Sequence, residues 1–70
     1  MDREPVASSN IASIGYNADE KVLEVEFLDG SIYHYFDISL EVHRAFMEAS
    51  SKGRFLHMNI KGIYEFAKVE

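Results

Sequence analysis

The sequence contains no cysteine and only one proline. Without cysteine there is no disulfide framework, no thiolate zinc site and no dithiol redox motif, and the absence fits a reducing compartment. No uninterrupted apolar run approaches the about 20 residues that a membrane-spanning helix needs. The charged start Met1-Asp2-Arg3-Glu4-Pro5 leads into no apolar signal segment. These absences point to a cytoplasmic protein. The glycines stand singly at 15, 30, 53 and 62, so no phosphate-cradling loop is indicated. Positive charge is scarce, with seven Lys and Arg against twelve Asp and Glu and a net charge of −5.

The 70 residues allow one domain. With 47% hydrophobic and 13% aromatic residues, the chain is too apolar to be disordered. A domain this small buries only about 60% of the surface its unfolded chain exposes. Its five Phe and four Tyr must therefore serve the core or a partner, and an aromatic side chain outside the core is informative.

Residues 1–6 read as a flexible lead-in and 7–70 as the single domain. Ile11 to Tyr16 is a short strand candidate, followed by a turn at Asn17-Ala18-Asp19-Glu20-Lys21. In Val22 to Leu28, Leu23, Val25 and Phe27 alternate with Glu24 and Glu26, the period of a half-buried strand. Asp29-Gly30 separates this run from Ser31-Ile32-Tyr33-His34-Tyr35-Phe36, a strong hairpin signal. A two-residue turn sets Phe27 opposite Ile32, Val25 opposite His34 and Leu23 opposite Phe36. Glu26 then faces Tyr33 and Glu24 faces Tyr35, so the tyrosines share the acidic face and His34 the core face.

Ser39 is a candidate N-cap for a helix over Leu40 to Ala49, with Glu41 in its first turn. A second helix covers about Lys52 to Ile60, with Phe55 and Met58 or Asn59 inward, and Gly62 ends it. Ile63 to Ala67 is a last strand or a docked tail. The expected fold is α+β, with a small antiparallel three-stranded sheet followed by two short helices packed on one face.

No catalytic motif is present: there is no cysteine nucleophile, nucleophile elbow or HExxH pair. His34, His43 and His57 are too widely separated to suggest a metal site. Glu24 and Glu26 share a strand face about 7 Å apart, but so short a chain does not build a glycosidase cleft around them. The sequence therefore names no catalytic residue, no metal site and no cofactor. Two features remain. Tyr33-x-Tyr35 places two aromatics on one side of a strand, beside Glu24 and Glu26, where they can hold an Arg-rich protein partner or a second copy. Residues 50–64 carry Lys52, Arg54 and Lys61 and no acid. On a helix, Arg54, His57 and Lys61 form one stripe that can contact phosphate.

Ser8-Ser9-x-Ile11, Ile14-Gly15-Tyr16, Leu23-x-Val25-x-Phe27, the Gly30 turn, Tyr33-x-Tyr35 and Ser51-x-Gly53-x-Phe55 occur in that order, followed by Ile60. In order and spacing, over residues 6–64, the chain resembles the KTSC domain, named for the C-terminal region of some lysyl-tRNA synthetases. The resemblance implies a domain that occurs as a stand-alone bacterial or phage protein or as a synthetase appendage, and RNA binding by association with the synthetase. The family's central Tyr-x-Tyr falls on Tyr33 and Tyr35 and its basic segment on Lys61. Glu65 departs from the basic character expected there. The preferred expectation is a non-enzymatic binding module with a protein or self-association surface at Tyr33 and Tyr35. The alternative is a tRNA-binding accessory module using the second helix.

Overall fold

The computed structural model describes all residues, 1–70. Five strands form one antiparallel sheet in chain order: β1 (Arg3–Pro5), β2 (Ile11–Asn17), β3 (Val22–Phe27), β4 (Ile32–Tyr35) and β5 (Phe66–Lys68). Helices α1 (Leu40–Glu48) and α2 (Lys52–Asn59) lie between β4 and β5 in the chain and pack on one face of the sheet, where Phe46 and Leu56 join Ile14, Leu23, Val25 and Tyr35 in one core. The fold is α+β with two helices, as expected, but the sheet has five strands rather than three. Both additional strands are edges. Residues 3–5, expected within a lead-in, pair with β2, Arg3 opposite Gly15.

Local chemistry accounts for the helix starts. Ser39 and Ser51 cap α1 and α2, their hydroxyls accepting from the N–H of Val42 and Arg54. Phe46 is the buried residue of α1. In α2 the buried residue is Leu56, followed by Ile60 at the cap, whereas Met58 and Asn59 are exposed. Phe55 packs against the core as expected, stacked on Phe46 at 5.4 Å, but in place of Met58 or Asn59 the buried stripe is Leu56 and Ile60, four apart. Gly62, with φ 78°, sits in the turn where the Ile63 N–H donates to the Ile60 carbonyl. It directs the chain into β5.

Two irregularities set which side chains enter the core. Ile11 and Ile14 are three apart, so in a regular strand they would face opposite sides. The register shifts between Ile11 and Ser13, and both isoleucines are buried. The β3–β4 turn is the second. The Gly30 N–H donates to the Phe27 carbonyl, the Phe27 N–H donates to the Ser31 carbonyl, and Gly30 has φ 91°. Phe27 thus closes on Ser31 around three residues, Leu28-Asp29-Gly30. A type I′ turn needs positive φ at both Asp29 and Gly30, and only Gly30 has it. Asp29 Oδ1 instead accepts from the backbone N–H and hydroxyl of Ser31.

The three-residue turn shifts the expected register by one. Leu23 faces Tyr35, Glu24 faces His34, Val25 faces Tyr33 and Glu26 faces Ile32. Tyr33 and Tyr35 therefore lie on the helix side, and Glu24, Glu26 and His34 on the open side. The expected partnership of the two tyrosines with Glu24 and Glu26 is overturned, as is the expected core position of His34.

Candidate functional site

On the helix side, the β3–β4 hairpin, β5 and the turn after α2 enclose a groove of about 610 Å³, within the size range of small-ligand and side-chain pockets. Its aromatic surface comes from four strand residues. Phe27 meets Tyr33 edge to face at 5.6 Å between centroids. Phe66 lies 5.9 Å from Tyr33 and 6.1 Å from Tyr35. Tyr35 is only 2% exposed, so it forms the floor. Burial, and secondarily the neighbouring Tyr33, pushes its phenol above the ordinary tyrosine range. Tyr33 is half-buried and Phe66 is 59% exposed, so these two present ring surface to solvent.

The groove has polar and charged groups at its mouth. Asn10, Asp29 and Ser31 contribute to its lining. The Lys61 ammonium lies 5.5 Å from the Phe27 ring centroid, a cation–π distance. Lys68 pairs directly with Tyr33 across the β4–β5 ladder and so stands on the same face. Asn10 links this mouth to α2. A Cβ built on Gly53 would meet Asn10 Oδ1 at 2.5 Å, so glycine lets the helix start against that amide. The Ser8-Ser9-x-Ile11 and Ser51-x-Gly53 segments, distant in sequence, meet at this contact.

The open side carries a separate polar network. Arg3 donates from Nε to Ser13 Oγ at 2.9 Å and from Nη1 to Glu24 Oε2 at 2.6 Å. The Ser13 hydroxyl donates to Glu26 Oε1 at 2.8 Å. Glu24 Oε1 lies 2.7 Å from His34 Nε2. Burial pushes the Glu24 carboxyl up, but hydrogen bonds from His34 and Arg3, with their charges, outweigh it and hold it below the ordinary range. These side chains connect β1 to β4. Their ordered mutual pairing makes them a brace, and the two carboxylates face neither the tyrosines nor the groove.

The structure divides the expected basic stripe. Arg54 and His57 are exposed on α2, but Lys61 lies beyond the Ile60 cap and turns to Phe27. Phe66, Asn10, Asp29 and Ser31 are groove residues that the sequence reading did not single out. One signal was available for the register: placing His34 on a core face while both tyrosines face water costs more than the reverse. No three His, Asp or Glu side chains converge into a metal-holding cluster. No helix is long and apolar enough to cross a membrane.

Comparisons with known proteins agree with this fold. The KTSC domain family matches residues 7–64. A KTSC domain protein of Yersinia pestis, solved by crystallography, is similar with a TM-score of 0.95 and 42% identity, covering 99% of this chain and 97% of that one. An uncharacterized protein of Stutzerimonas stutzeri is 39% identical over 61 residues, 87% of this chain and 86% of its own length. A lysine–tRNA ligase of Trichormus variabilis is 34% identical over 61 residues, but the match spans 11% of that protein.

Proposed function

The chain belongs to the KTSC domain family, and from that premise and the groove's composition we propose that it is a non-enzymatic binding module taking an apolar or aromatic side chain of a protein partner against the Tyr33 and Phe66 rings. The observation that carries this reading is the exposed apolar rim. Phe66 at 59% and Leu28 at 61% exposure border an aromatic floor, in a domain too small to spare such residues. Asn10, Asp29 and Ser31 supply polar groups for the partner's backbone. His34 bonds to Glu24 rather than to a nucleophile, which supports a binding role over catalysis.

A second reading is RNA binding. It is supported by the lysine–tRNA ligase relatives and by Lys61 and Lys68 beside aromatic rings, the combination that single-stranded nucleic acid uses. The position of Glu24 and Glu26 on the other face takes two repulsive charges away from the tyrosines, though Asp29 stays in the groove lining. The chain's net charge of −5 favours the protein partner over RNA.

One experiment separates the two. Peptides selected from a display library against the folded chain should shift the amides of Ser31, Tyr33, Lys61 and Phe66, and Phe66→Ala should abolish that binding. Single-stranded RNA oligonucleotides are titrated in parallel at low and high salt. Shifts at the same amides with RNA alone, steeply weakened by salt, would replace the protein reading with the RNA one. Silence with both would sink both.

A further inference from the structure

The two edges of the sheet differ in their capacity to accept another strand. On β1 the Val6 N–H donates to the Ala12 carbonyl, and the antiparallel ladder alternates, so Arg3 and Pro5 face outward. Pro5 has no N–H to offer, and the Arg3 side chain is held by the open-side network. This edge is blunted in the way natural sheets avoid pairing. On β5 the Phe36 N–H donates to the Glu65 carbonyl and the Val69 N–H to the Ile32 carbonyl. The same alternation leaves the N–H and C=O of Phe66 and Lys68 pointing away from β4. All three residues of β5 are exposed, and neither a proline nor a fold of chain covers this edge.

We propose that β5 pairs antiparallel with β5 of a second copy of this chain, about a two-fold axis at Ala67, joining the two sheets into one. The outward groups of Phe66 and Lys68 restrict the register. Centring on Lys68 sets two ammonium groups directly opposite, which is unfavourable. Centring on Phe66 requires the Tyr64 backbone to bond across the interface, but its N–H already donates to the Ile60 carbonyl. Centring on Ala67 meets neither obstacle. Phe66 then stands opposite Lys68 of the second copy, whose aliphatic stem and ammonium can cover the ring. Glu65 faces Val69, and the small Ala67 meets itself at the axis. This edge adjoins the groove and shares Phe66 with it, and the contact is self-complementary, as an isologous two-fold contact must be.

Because the natural chain has no cysteine, a single introduced thiol reports only on contacts between copies. Ala67→Cys places its two sulfurs on the axis, in a close non-hydrogen-bonded pair within disulfide reach. Val69→Cys places them about 13 Å apart along the strands, out of reach. Under air oxidation at equal concentration, Ala67→Cys should form at least roughly ten-fold more disulfide dimer than Val69→Cys. Lys68→Pro removes an outward N–H without breaking a β4–β5 bond. By sedimentation equilibrium the natural chain should gain apparent mass with concentration, while the folded Lys68→Pro chain should not. The proposal fails if the two cysteine variants cross-link equally or neither does. It also fails if Lys68→Pro, folded by circular dichroism, associates as the natural chain does.

Discussion

The Glu24 carboxylate bridges two side chains: Oε2 accepts from Arg3 Nη1 at 2.6 Å and Oε1 lies 2.7 Å from His34 Nε2. One side chain on β3 thereby ties the first strand of the sheet to the fourth. Its side chain is 13% exposed, so water competes weakly for these bonds. Its folded pKa is held below the ordinary carboxylate range, and the sign follows from linkage. The contribution is complete above the unfolded pKa and is lost as pH falls through the lower folded value. Glu24→Gln should lower stability at pH 7 by about 1–2 kcal/mol. The gap to the natural chain should close as pH falls below about 4. Urea unfolding at both pH values measures it. A gap unchanged with pH would show that the carboxylate's charge is not what stabilises.

The two tyrosines of the central motif are expected to fail differently when truncated. Tyr35 is 2% exposed and packs in the core with Leu23 and Phe46, so Tyr35→Ala should destabilise by about 3–5 kcal/mol. That approaches the whole stability expected of so small a domain, and the variant should be largely unfolded by circular dichroism. Tyr33→Ala, half-buried, should lose less. Phe66→Ala, at an exposed position, should leave the melting temperature nearly unchanged, so it probes the groove without unfolding the chain. A cooperative, native-like melt for Tyr35→Ala would remove Tyr35 from the core.

Local determinants were legible in the sequence, and pairing between strands was not. Ser39 could be read as a cap because a hydroxyl three residues before an amide N–H is a local arrangement. The hairpin at Asp29-Gly30 was legible for the same reason. Its register was not, because Asp-Gly fits both a two-residue and a three-residue loop, and that single residue decides which face receives Tyr33 and Tyr35. Strands β1 and β5 have no clear alternation. Arg3-Glu4-Pro5 is extended because β2 and the Arg3 contacts to Ser13 and Glu24 hold it. Phe66 became a candidate only once β5 was seen to pair beside Tyr33 and Tyr35. Two of the segments that carried the family resemblance meet in space, where Gly53 approaches Asn10, the unspecified position within Ser8-Ser9-x-Ile11.

Gly30 offers a test of the turn itself. Its φ is 91°, and a Cβ added there would meet nothing within 4 Å. Any cost of Gly30→Ala is therefore backbone strain, roughly 1–2 kcal/mol for an L-residue in this region. At about 4–8 °C per kcal/mol for a domain of this size, the loss is visible in a thermal melt. A 70-residue chain is accessible to chemical synthesis, and D-alanine at position 30 should remove the penalty because positive φ suits its chirality. Equal melting of the L- and D-alanine chains would contradict the three-residue turn.

Tyr16 and His43 should give the fold a second pH dependence, opposite in chemical type to that of Glu24 and on the other side of the sheet. Their rings stack at 4.3 Å and 13°, and the Tyr16 hydroxyl donates to the Ile38 carbonyl just before α1. The contact joins β2 to the start of the helix layer. Burial lowers the His43 pKa, and the Glu4 charge only partly opposes it. The folded state therefore binds a proton less readily than the unfolded one, whose imidazole titrates near about 6.5. The His43 contribution is complete above that value and declines as pH falls below it. His43→Phe keeps a stacking ring and removes the titration, so between pH 7 and pH 5 it should lose less stability than the natural chain. Tyr16→Phe should cost about 1 kcal/mol at both pH values by leaving the Ile38 carbonyl without its partner. Urea unfolding of the three chains at pH 5 and 7 distinguishes the effects. If His43→Phe shows the same pH slope as the natural chain, the imidazole is not the titrating group.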